Sequence, residues 1–376
     1  MNPPPVTELE IVPLDVHDRD AFDEWHGVYL AAEQACGELV GAPWQLEEVR
    51  AMMQDTGSRA WSAGFSGRVD GEVVSVGWLR TPMLDNLDRA EVAVHTAPAH
   101  ARRGYGAAML AHVERVAVER GRTVLVGGVA WPYDLGPEGA GSPGRELARR
   151  AGYDLALGDV KRMLRLPVPA GLLEDLAAEA AAHHPGYELR SFVGPVPEEL
   201  VAGWARLDSL VETEAPTGEL AIEPASADPA VVREQEALLA AQGRTSYHAV
   251  ALAPDGEVVA FSHVVATVHE PGRAYQWGTL VDRRARGRRL GLAVKVENLR
   301  LLQAEAPDVT TVSTYNAETN THMIAVNERL GFEPVARLGE FQMCTSGPSS
   351  RGPEGRARSS SRATDEGGRD RRIEAP

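Results

Sequence analysis

The sequence predicts a mixed α/β protein built from two tandem copies of one unit, each with a central βαβ segment. The chain has 376 residues, which at roughly 100 to 200 residues per domain is enough for two or three domains. The motif Asp-Gly-Glu-Val-Val occurs at 70–74 and again at 255–259, 185 residues later. The same offset relates a strand pattern, a loop rich in arginine and glycine, and an amphipathic helix in the two halves. A repeat at one fixed distance indicates a tandem duplication.

Composition and charge exclude several classes of protein. Two cysteines, Cys36 and Cys344, are too few for a disulfide framework or a metal cluster, which indicates a reducing compartment. The N-terminus lacks the basic start and apolar run of a secretion signal, and no apolar run is long enough to cross a bilayer. We therefore expect a cytoplasmic protein without a membrane partner. The net charge of -16 makes nucleic acid a poor partner.

Each copy predicts the same order of elements. An N-terminal strand and a helical stretch come first, followed by a hairpin, a further strand, the loop, an amphipathic helix and a last strand. The Asp-Gly pairs at 70–71 and 255–256 lie between apolar runs, which is the pattern of a tight hairpin turn.

The helix after each loop and the strand that follows it complete the βαβ segment. In the first copy the apolar residues with helical spacing are Met109, Leu110, Val113, Val116 and Ala117, and in the second they are Leu292, Val296 and Leu299. The runs at 123–126 and 309–312 are rich in β-branched residues and predict strands.

The boundary between the copies is expected near 170 to 185. The last strand of the first copy, at about 160–166, runs into Pro-Val-Pro, and an alanine-rich helix at 172–183 precedes a new strand at 187–192. We therefore predict a first domain at 1–170, a linker helix at 171–185 and a second domain at 186–345. Residues 346–376 are nearly devoid of apolar side chains and are expected to be disordered.

The two loops carry the pattern of an anion site. A helix N-terminus presents unpaired N–H groups, and small residues before it let a phosphate approach the backbone. The first loop has Gly104 and Gly106, whereas the second has Gly287 and Gly291, with Arg289 in the place of Gly104. Neither a Walker-type Lys-Ser/Thr nor a Gly-x-Gly-x-x-Gly spacing is present, so nucleotide hydrolysis and dinucleotide binding lack their residues. An ordinary turn before a helix, and a solvated arginine face, are the alternatives.

Both loops resemble the signature of the GNAT acetyltransferase superfamily, Gln/Arg-x-x-Gly-x-Gly/Ala between a strand and a helix. Each copy departs from it at one position, with Ala101 for Gln/Arg in the first and Arg289 for the middle Gly in the second. The resemblance implies two tandem GNAT-like domains of the actinobacterial type, each a mixed, mostly antiparallel sheet flanked by helices, that bind the diphosphate of acyl-CoA. The implied contacts are Val94, Thr96, Arg102, Arg103, Gly104, Tyr105, Gly106 and Ala107, and Thr279, Val281, Arg286, Gly287, Arg288, Arg289, Leu290 and Gly291.

A second family feature occurs in the C-terminal copy only. Asn316 and Asn320 follow a strand and precede a helix that ends in Leu-Gly-Phe at 330–332, which resembles the segment that contacts the pantetheine arm. The matching stretch of the first copy, 127–131, has no such asparagine. Turn and helix-cap roles are the alternative for both side chains.

The family mechanism is direct attack of an amine on the acyl thioester, which requires a base for the amine and an acid for the leaving thiolate. The tyrosine that many members use as the acid is replaced by Asn327 in the second copy and Ala148 in the first, and Tyr315 is the expected substitute. Candidate bases are Glu91, Tyr275 and His263, although Glu91 also fits an exposed strand residue and His263 a buried sheet histidine.

These resemblances imply an acyl-CoA-dependent N-acyltransferase that uses acetyl-CoA and no metal. The acceptor is expected to be a small-molecule or peptide amine, and the sequence does not indicate which. We expect the second copy to be catalytic and the first to be a structural or degenerate copy. A non-catalytic acyl-CoA-binding or protein-interaction module is the alternative, and the sequence leaves the oligomeric state open.

Overall fold

The structure is a computed structural model, and it describes residues 9–345. The predicted disordered tail, 346–376, lies outside the described residues. Within them, two sets of elements follow each other in the same order.

The first set begins with one strand and two helices, and a hairpin and a βαβ segment follow. The elements are β1 (Glu10–Pro13), α1 (Arg19–Ala35), α2 (Leu46–Gln54), β2 (Ala60–Val69), β3 (Glu72–Pro82), β4 (Arg89–Thr96), α3 (Tyr105–Glu119), β5 (Val124–Pro132), α4 (Pro143–Ala151) and β6 (Asp154–Arg165).

A helix, α5, lies where the linker helix is predicted, and the second set follows it. The elements are α5 (Leu172–Ala181), β7 (Glu188–Val193), α6 (Glu198–Asp208), α7 (Val211–Glu214), α8 (Pro229–Ala241), β8 (Arg244–Leu252), β9 (Val258–Thr267), β10 (Arg273–Val281), α9 (Leu290–Glu305), β11 (Thr311–Ala317), α10 (Thr321–Leu330) and β12 (Glu333–Cys344).

All twelve of these strands form one continuous sheet. Their order is β1-β2-β3-β4-β5-β12-β6-β11-β10-β9-β8-β7. The pairs β4–β5 and β10–β11 are parallel, and α3 and α9 connect them, whereas the other pairs are antiparallel. The predicted α/β class, with a βαβ segment in each mostly antiparallel half, is confirmed.

The last strands of the two halves are exchanged. Strand β12, from the second half, pairs with β5 of the first, and β6, from the first half, pairs with β11 of the second. At the centre of the sheet β6 and β12 pair with each other, and Gly158 lies opposite Gly339. Each half therefore completes the sheet of the other, while the predicted boundary near 170 to 185 stays a prediction.

The βαβ helices bury their apolar stripes on the sheet. Met109 and Val113 of α3 are fully buried in the core of the first half, and Val296 and Leu299 of α9 are 1% exposed in that of the second. The linker helix α5 also packs into the second core, through residues that include Leu173. This burial fixes the N-terminus of each βαβ helix at the edge of the gap between its two parallel strands.

Candidate functional site

The parallel strands β10 and β11 part halfway along their length. They pair from Arg273 and Thr311 as far as Gln276 and Thr314, and β10 then has a bulge between Gln276 and Gly278. The side-chain amide of Gln276 spans the bulge, because its Nε2 donates to the carbonyl oxygens of His263 and Gly278, each at 2.8 Å. A bulge of this kind leaves main-chain groups outside the ladder and available to a ligand.

A cavity of about 1100 Å³ fills the gap between these strands. It is lined by the loop before α9, represented by Arg286 and Gly287, and by Asp159 of β6 and Glu340 of β12. Since β6 comes from the first half, both halves build the cavity. Of the predicted contacts, it is lined by Thr279, Val281, Arg286, Gly287, Arg289, Leu290, Gly291, Asn316 and Asn320.

The N-terminus of α9 opens toward this cavity. Arg289 is its N-cap and adopts the left-handed conformation, with φ 55°, and no side chain caps the helix. Gly287 has φ 80°, and a Cβ on Gly291 would lie 3.4 Å from Val281 Cγ2, so that the backbone stays accessible. The local structure thus has the unpaired amides and the small residues that a phosphate requires.

The arginines of this loop are matched by carboxylates. Glu214 accepts from Arg283 at 2.7 Å and from Arg286 at 2.8 Å. Glu179, on the linker helix, contacts both Arg289 and Arg329. Arg288, a further predicted contact, donates to the carbonyl oxygens of residues 284 and 286, at 3.1 Å and 3.4 Å. An anion in the cavity would therefore have to displace Glu214 and Glu179 from these guanidinium groups.

The two asparagines have defined partners. Asn316 Oδ1 accepts from Nδ2 of the buried Asn327 at 2.5 Å. Asn320 caps α10, since its side chain accepts from the N–H of Met323 at 3.2 Å. The cap role named as the alternative for Asn320 is present, and both asparagines also line the cavity.

Asp159 and Tyr315 are two titratable groups that line the cavity. Burial and the nearby charge of Glu340 raise the pKa of the Asp159 carboxyl to about 7. Burial raises the pKa of the Tyr315 phenol to about 12, so it keeps its proton at neutral pH. Asp159 could not be found from the sequence, because it belongs to a strand of the other half.

The candidate bases lie elsewhere. Glu91 is an ion-pair partner of Arg80 at 3.2 Å, on β4 of the first half. The Tyr275 hydroxyl donates to Glu270, and burial is the main cause that raises its pKa. Burial lowers the pKa of His263 to about 3, so this ring is neutral. The cavity lining described above includes none of these three.

The first half repeats the helix geometry but not the bulge. Gly104 is the N-cap of α3 with φ 91°, in the left-handed region that Arg289 adopts in the second half. Strands β4 and β5 pair from Arg89 and Val124 as far as Glu91 and Val126. Strand β4 runs without a bulge, and a Cβ on Gly127 would lie 2.9 Å from the carbonyl oxygen of Val92 on the neighbouring strand. The first half therefore lacks the irregular backbone that the second half has where its parallel strands part.

The remaining predicted residues of the first loop have mixed surroundings. Val94 packs against the core of the first half, and Tyr105 is 6% exposed. Arg103 donates to the carbonyl oxygen of Ala99 at 3.3 Å. The side chains of Arg102 and Ala107 are exposed, and Thr96 Oγ1 lies 3.1 Å from Ser75 Oγ and from the position of a Cβ on Gly106.

The described part of the chain has neither a membrane-spanning helix nor a cluster of metal-binding side chains. Among residues 9–345, no helix has the length and apolar character to cross a bilayer. Over the same range, no group of three or more His, Cys, Asp or Glu residues is placed to hold a metal ion.

Comparisons with known proteins agree with this geometry. Residues 20–129 match the sequence model of the Acetyltransferase (GNAT) family. A tandem GNAT protein from the clavulanic acid biosynthesis pathway, solved without AcCoA, is 28% identical, with a TM-score of 0.73 over 91% of this chain and 100% of that one. No curated protein matches the chain.

More distant structures share the fold. A GCN5-related N-acetyltransferase from Sphaerobacter thermophilus is 16% identical, with a TM-score of 0.59 over 89% of this chain and 95% of that one. The Saccharomyces cerevisiae N-myristoyltransferase with bound myristoyl-CoA is 11% identical, with a TM-score of 0.55 over 89% and 82%. Residues 20–129 therefore match the GNAT family in sequence, and the chain as a whole, with its duplicated βαβ segments, has the fold of a tandem GNAT protein.

Proposed function

We propose that the protein transfers an acetyl group from acetyl-CoA to a primary amine, and that the second half carries out the reaction. The observation that supports this most is the cavity between β10 and β11. It is lined by the open N-terminus of α9 as well as by Asp159 and Tyr315, so one continuous space contains both an anion site and a titratable carboxyl.

The donor would lie along β10. Its diphosphate would accept from the main-chain amides around Gly287 and Gly291, while Arg286 and Arg289 exchange their carboxylate partners for phosphate oxygens. Its thioester carbonyl would lie against the bulge at 276–278, where main-chain N–H groups outside the ladder can polarise it. This polarisation makes the carbonyl carbon more open to attack.

The acceptor would bind in the part of the cavity lined by Asp159 and Glu340. An alkylammonium group is attracted by the carboxyls of Asp159 and Glu340, and the amine must lose a proton before it attacks. Because the pKa of Asp159 is raised to about 7, its carboxylate is a stronger base than an ordinary aspartate. We therefore assign Asp159 as the base in place of Glu91 and Tyr275, with Tyr315 as a hydrogen-bond donor to the reacting groups.

The first half would then be a degenerate copy whose contribution is structural. In the register of the parallel strands, Gly128 of β5 takes the position that Asn316 has in β11, so the first half lacks this asparagine. It still supplies β6, and with it Asp159, to the second half. The alternative of an acyl-CoA-binding module without turnover draws its support from Asn327, which replaces the family tyrosine and is fully buried.

The proposal is tested with the full chain, acetyl-CoA and a panel of primary amines. Release of free thiol that depends on the amine is the expected result, and acetyl-CoA binding without thiol release across the panel would favour the non-catalytic module. Gly291→Glu and its equivalent Gly106→Glu place the same carboxylate at the two helix N-termini. Loss of acetyl-CoA affinity in Gly291→Glu alone supports the second half as the donor site. Loss of affinity in Gly106→Glu alone would place the donor site in the first half.

A further inference from the structure

Lys295 of α9 is one of the two lysines of the chain, and it lies in the interior. Its side chain is 1% exposed and lines the cavity. Nζ donates to Gln276 Oε1 at 3.1 Å. Within residues 9–345 no carboxylate lies within ion-pair distance of Nζ, so its charge has no acidic partner. Of the 38 Lys and Arg residues of the chain, all but two are arginine. Of the two residue types, only lysine can give up its side-chain proton near neutral pH.

The Lys295 amine lies where the thioester end of a bound acyl-CoA is expected. Gln276 belongs to the last residue pair before β10 and β11 part. The loop before α9 follows Val281, the C-terminal residue of β10. The five residue steps between them span about 16 Å of strand. A donor whose diphosphate is held at α9 and whose arm lies in the gap therefore brings its thioester toward Gln276 and Lys295.

We propose that Lys295 donates the proton that the sulfur of coenzyme A takes up when the acyl group leaves. This rests on the function proposed above. The lone pair of the acceptor nitrogen forms the bond to the acyl carbon, and the carbon–sulfur bond breaks with its electron pair on sulfur. A proton moves from Nζ to sulfur, which leaves a neutral lysine amine and free coenzyme A. The acceptor's own proton goes to Asp159 and then to solvent, and Lys295 is reprotonated from solvent.

The electrostatics of the cavity favour this direction of transfer. Burial lowers the pKa of Lys295 to about 7, so a large fraction is protonated near neutral pH. An ordinary thiol has a pKa near 8.5, so transfer from the ammonium to a thiolate is downhill. Transfer from Tyr315, with a pKa of about 12, is uphill. Neither Asn327 nor Ala148, at the place of the family tyrosine, has a proton to give.

Other titratable groups lie on the elements packed against α9. Glu188 and Arg190 of β7 pair with each other at 2.7 Å, and Glu179 of α5 contacts two arginines. No acidic group on these elements forms an ion pair with Nζ. The groups on the other elements are Arg244, Tyr247 and His248 (β8), His263 (β9), Arg273 and Tyr275 (β10), and His322, Glu328 and Arg329 (α10).

The test uses hydroxylamine as the acceptor, since it is small and is already deprotonated at neutral pH. Free thiol and acetohydroxamate are measured against pH with the full chain, and acetyl-CoA affinity is measured separately. In Lys295→Met we expect kcat to fall at least tenfold, KM for acetyl-CoA to stay within about twofold, and the decline of the wild-type rate above pH ~7 to disappear. Lys295→Arg keeps the charge but holds its proton, so it should bind acetyl-CoA and be as slow. Lys161→Met, which removes the other buried lysine, should behave as wild type.

The outcomes separate this proposal from the one on which it rests. Wild-type protein that binds acetyl-CoA but releases no thiol overturns both. Wild-type turnover that is matched by Lys295→Met, with an unchanged pH profile, overturns the role of Lys295 alone. Acetylation of Lys295 itself, detected by peptide mass spectrometry during turnover, would make this amine an acceptor and would also overturn it.

Discussion

Glu48 of α2 and Arg244 of β8 form a buried ion pair between the two halves, with 3.1 Å from Oε1 to Nε. Their side chains are 2% and 3% exposed. The guanidinium also lies 4.4 Å from the ring centroid of Trp44 and 5.2 Å from that of Trp277, the residue at the bulge of β10. The halves are therefore joined by a desolvated charge pair as well as by the exchanged strands, and the bulge is packed against the first half.

Replacing Glu48 by Gln should destabilise the protein strongly. The amide oxygen of the new side chain could still accept from the N–H of Gln45 and so cap α2, but Arg244 would remain buried without a counter-charge. The expected loss is about 3–5 kcal/mol in the free energy of unfolding, measured by urea denaturation. Glu24→Gln is the control, because it breaks an ion pair with Arg68 whose side chains are 42% and 29% exposed, and it should cost less than about 1 kcal/mol. Equal losses in the two variants would contradict the prediction.

Two glycine-to-alanine changes should have opposite effects. A Cβ on Gly339 of β12 would lie 2.6 Å from the ring of Trp131 and 2.8 Å from Leu155, so Gly339→Ala overpacks the core and should cost about 1–3 kcal/mol. Gly27, inside α1, has nothing within 4 Å of its Cβ position, so Gly27→Ala should stabilise by up to about 1 kcal/mol. Thermal unfolding of both variants measures the difference. A Gly339→Ala protein as stable as wild type would mean that β12 does not pack on Trp131.

The N-cap of α9 should prefer glycine to alanine. Arg289 holds a left-handed conformation that costs a side-chain residue about 1 kcal/mol, and both Arg289→Gly and Arg289→Ala lose the contact with Glu179. Arg289→Gly should therefore be the more stable variant by about 1 kcal/mol. If main-chain amides hold the diphosphate, acetyl-CoA affinity should change less than about tenfold in Arg289→Gly. A larger loss would assign the phosphate contact to the guanidinium.

Asp159→Asn should raise stability at neutral pH while it abolishes amine acetylation. The folded-state pKa of Asp159, about 7, lies above the ordinary value for an aspartate. The folded protein therefore binds more protons than the unfolded chain between pH ~4 and pH ~7, and its stability falls as pH rises through this window. Asparagine removes this penalty, so the variant should gain stability over wild type at pH 8 and show no gain below pH ~4. Asp154→Asn, at an exposed position of the same strand, should show no such pH-dependent difference.

The local patterns of the sequence predicted most of the fold. These patterns are short-range periodicity and turn chemistry, which a single sequence contains. They predicted the hairpins, both βαβ segments and the loop with Gly287 and Gly291 before α9. The exchange of β6 and β12 could not be predicted. Two copies with the same strand pattern offer the same pairing edge, so only long-range packing decides which copy a last strand joins.

Only part of the candidate site lies in segments that carry a local sequence pattern. The loop before α9 and the segment with Asn316 are contiguous in sequence, and each carries a recognisable pattern. Asp159 and Lys295 lie in a β-strand and in the middle of a helix, where nothing in the sequence distinguishes them from structural residues. Their relation to the cavity depends on the strand exchange for Asp159 and on how α9 packs against β10 for Lys295.

The crossed arrangement of β6 and β12 also constrains how this protein can evolve. Deletion of either repeat would leave the sheet of the remaining repeat without one of its strands. Deletion of the first repeat would also remove β6, which lines the cavity of the second repeat. The two repeats must therefore be inherited together. Sequence changes around Trp131 would leave this constraint on the first repeat in place, because β6 would still pair with β11 and line the cavity of the second repeat.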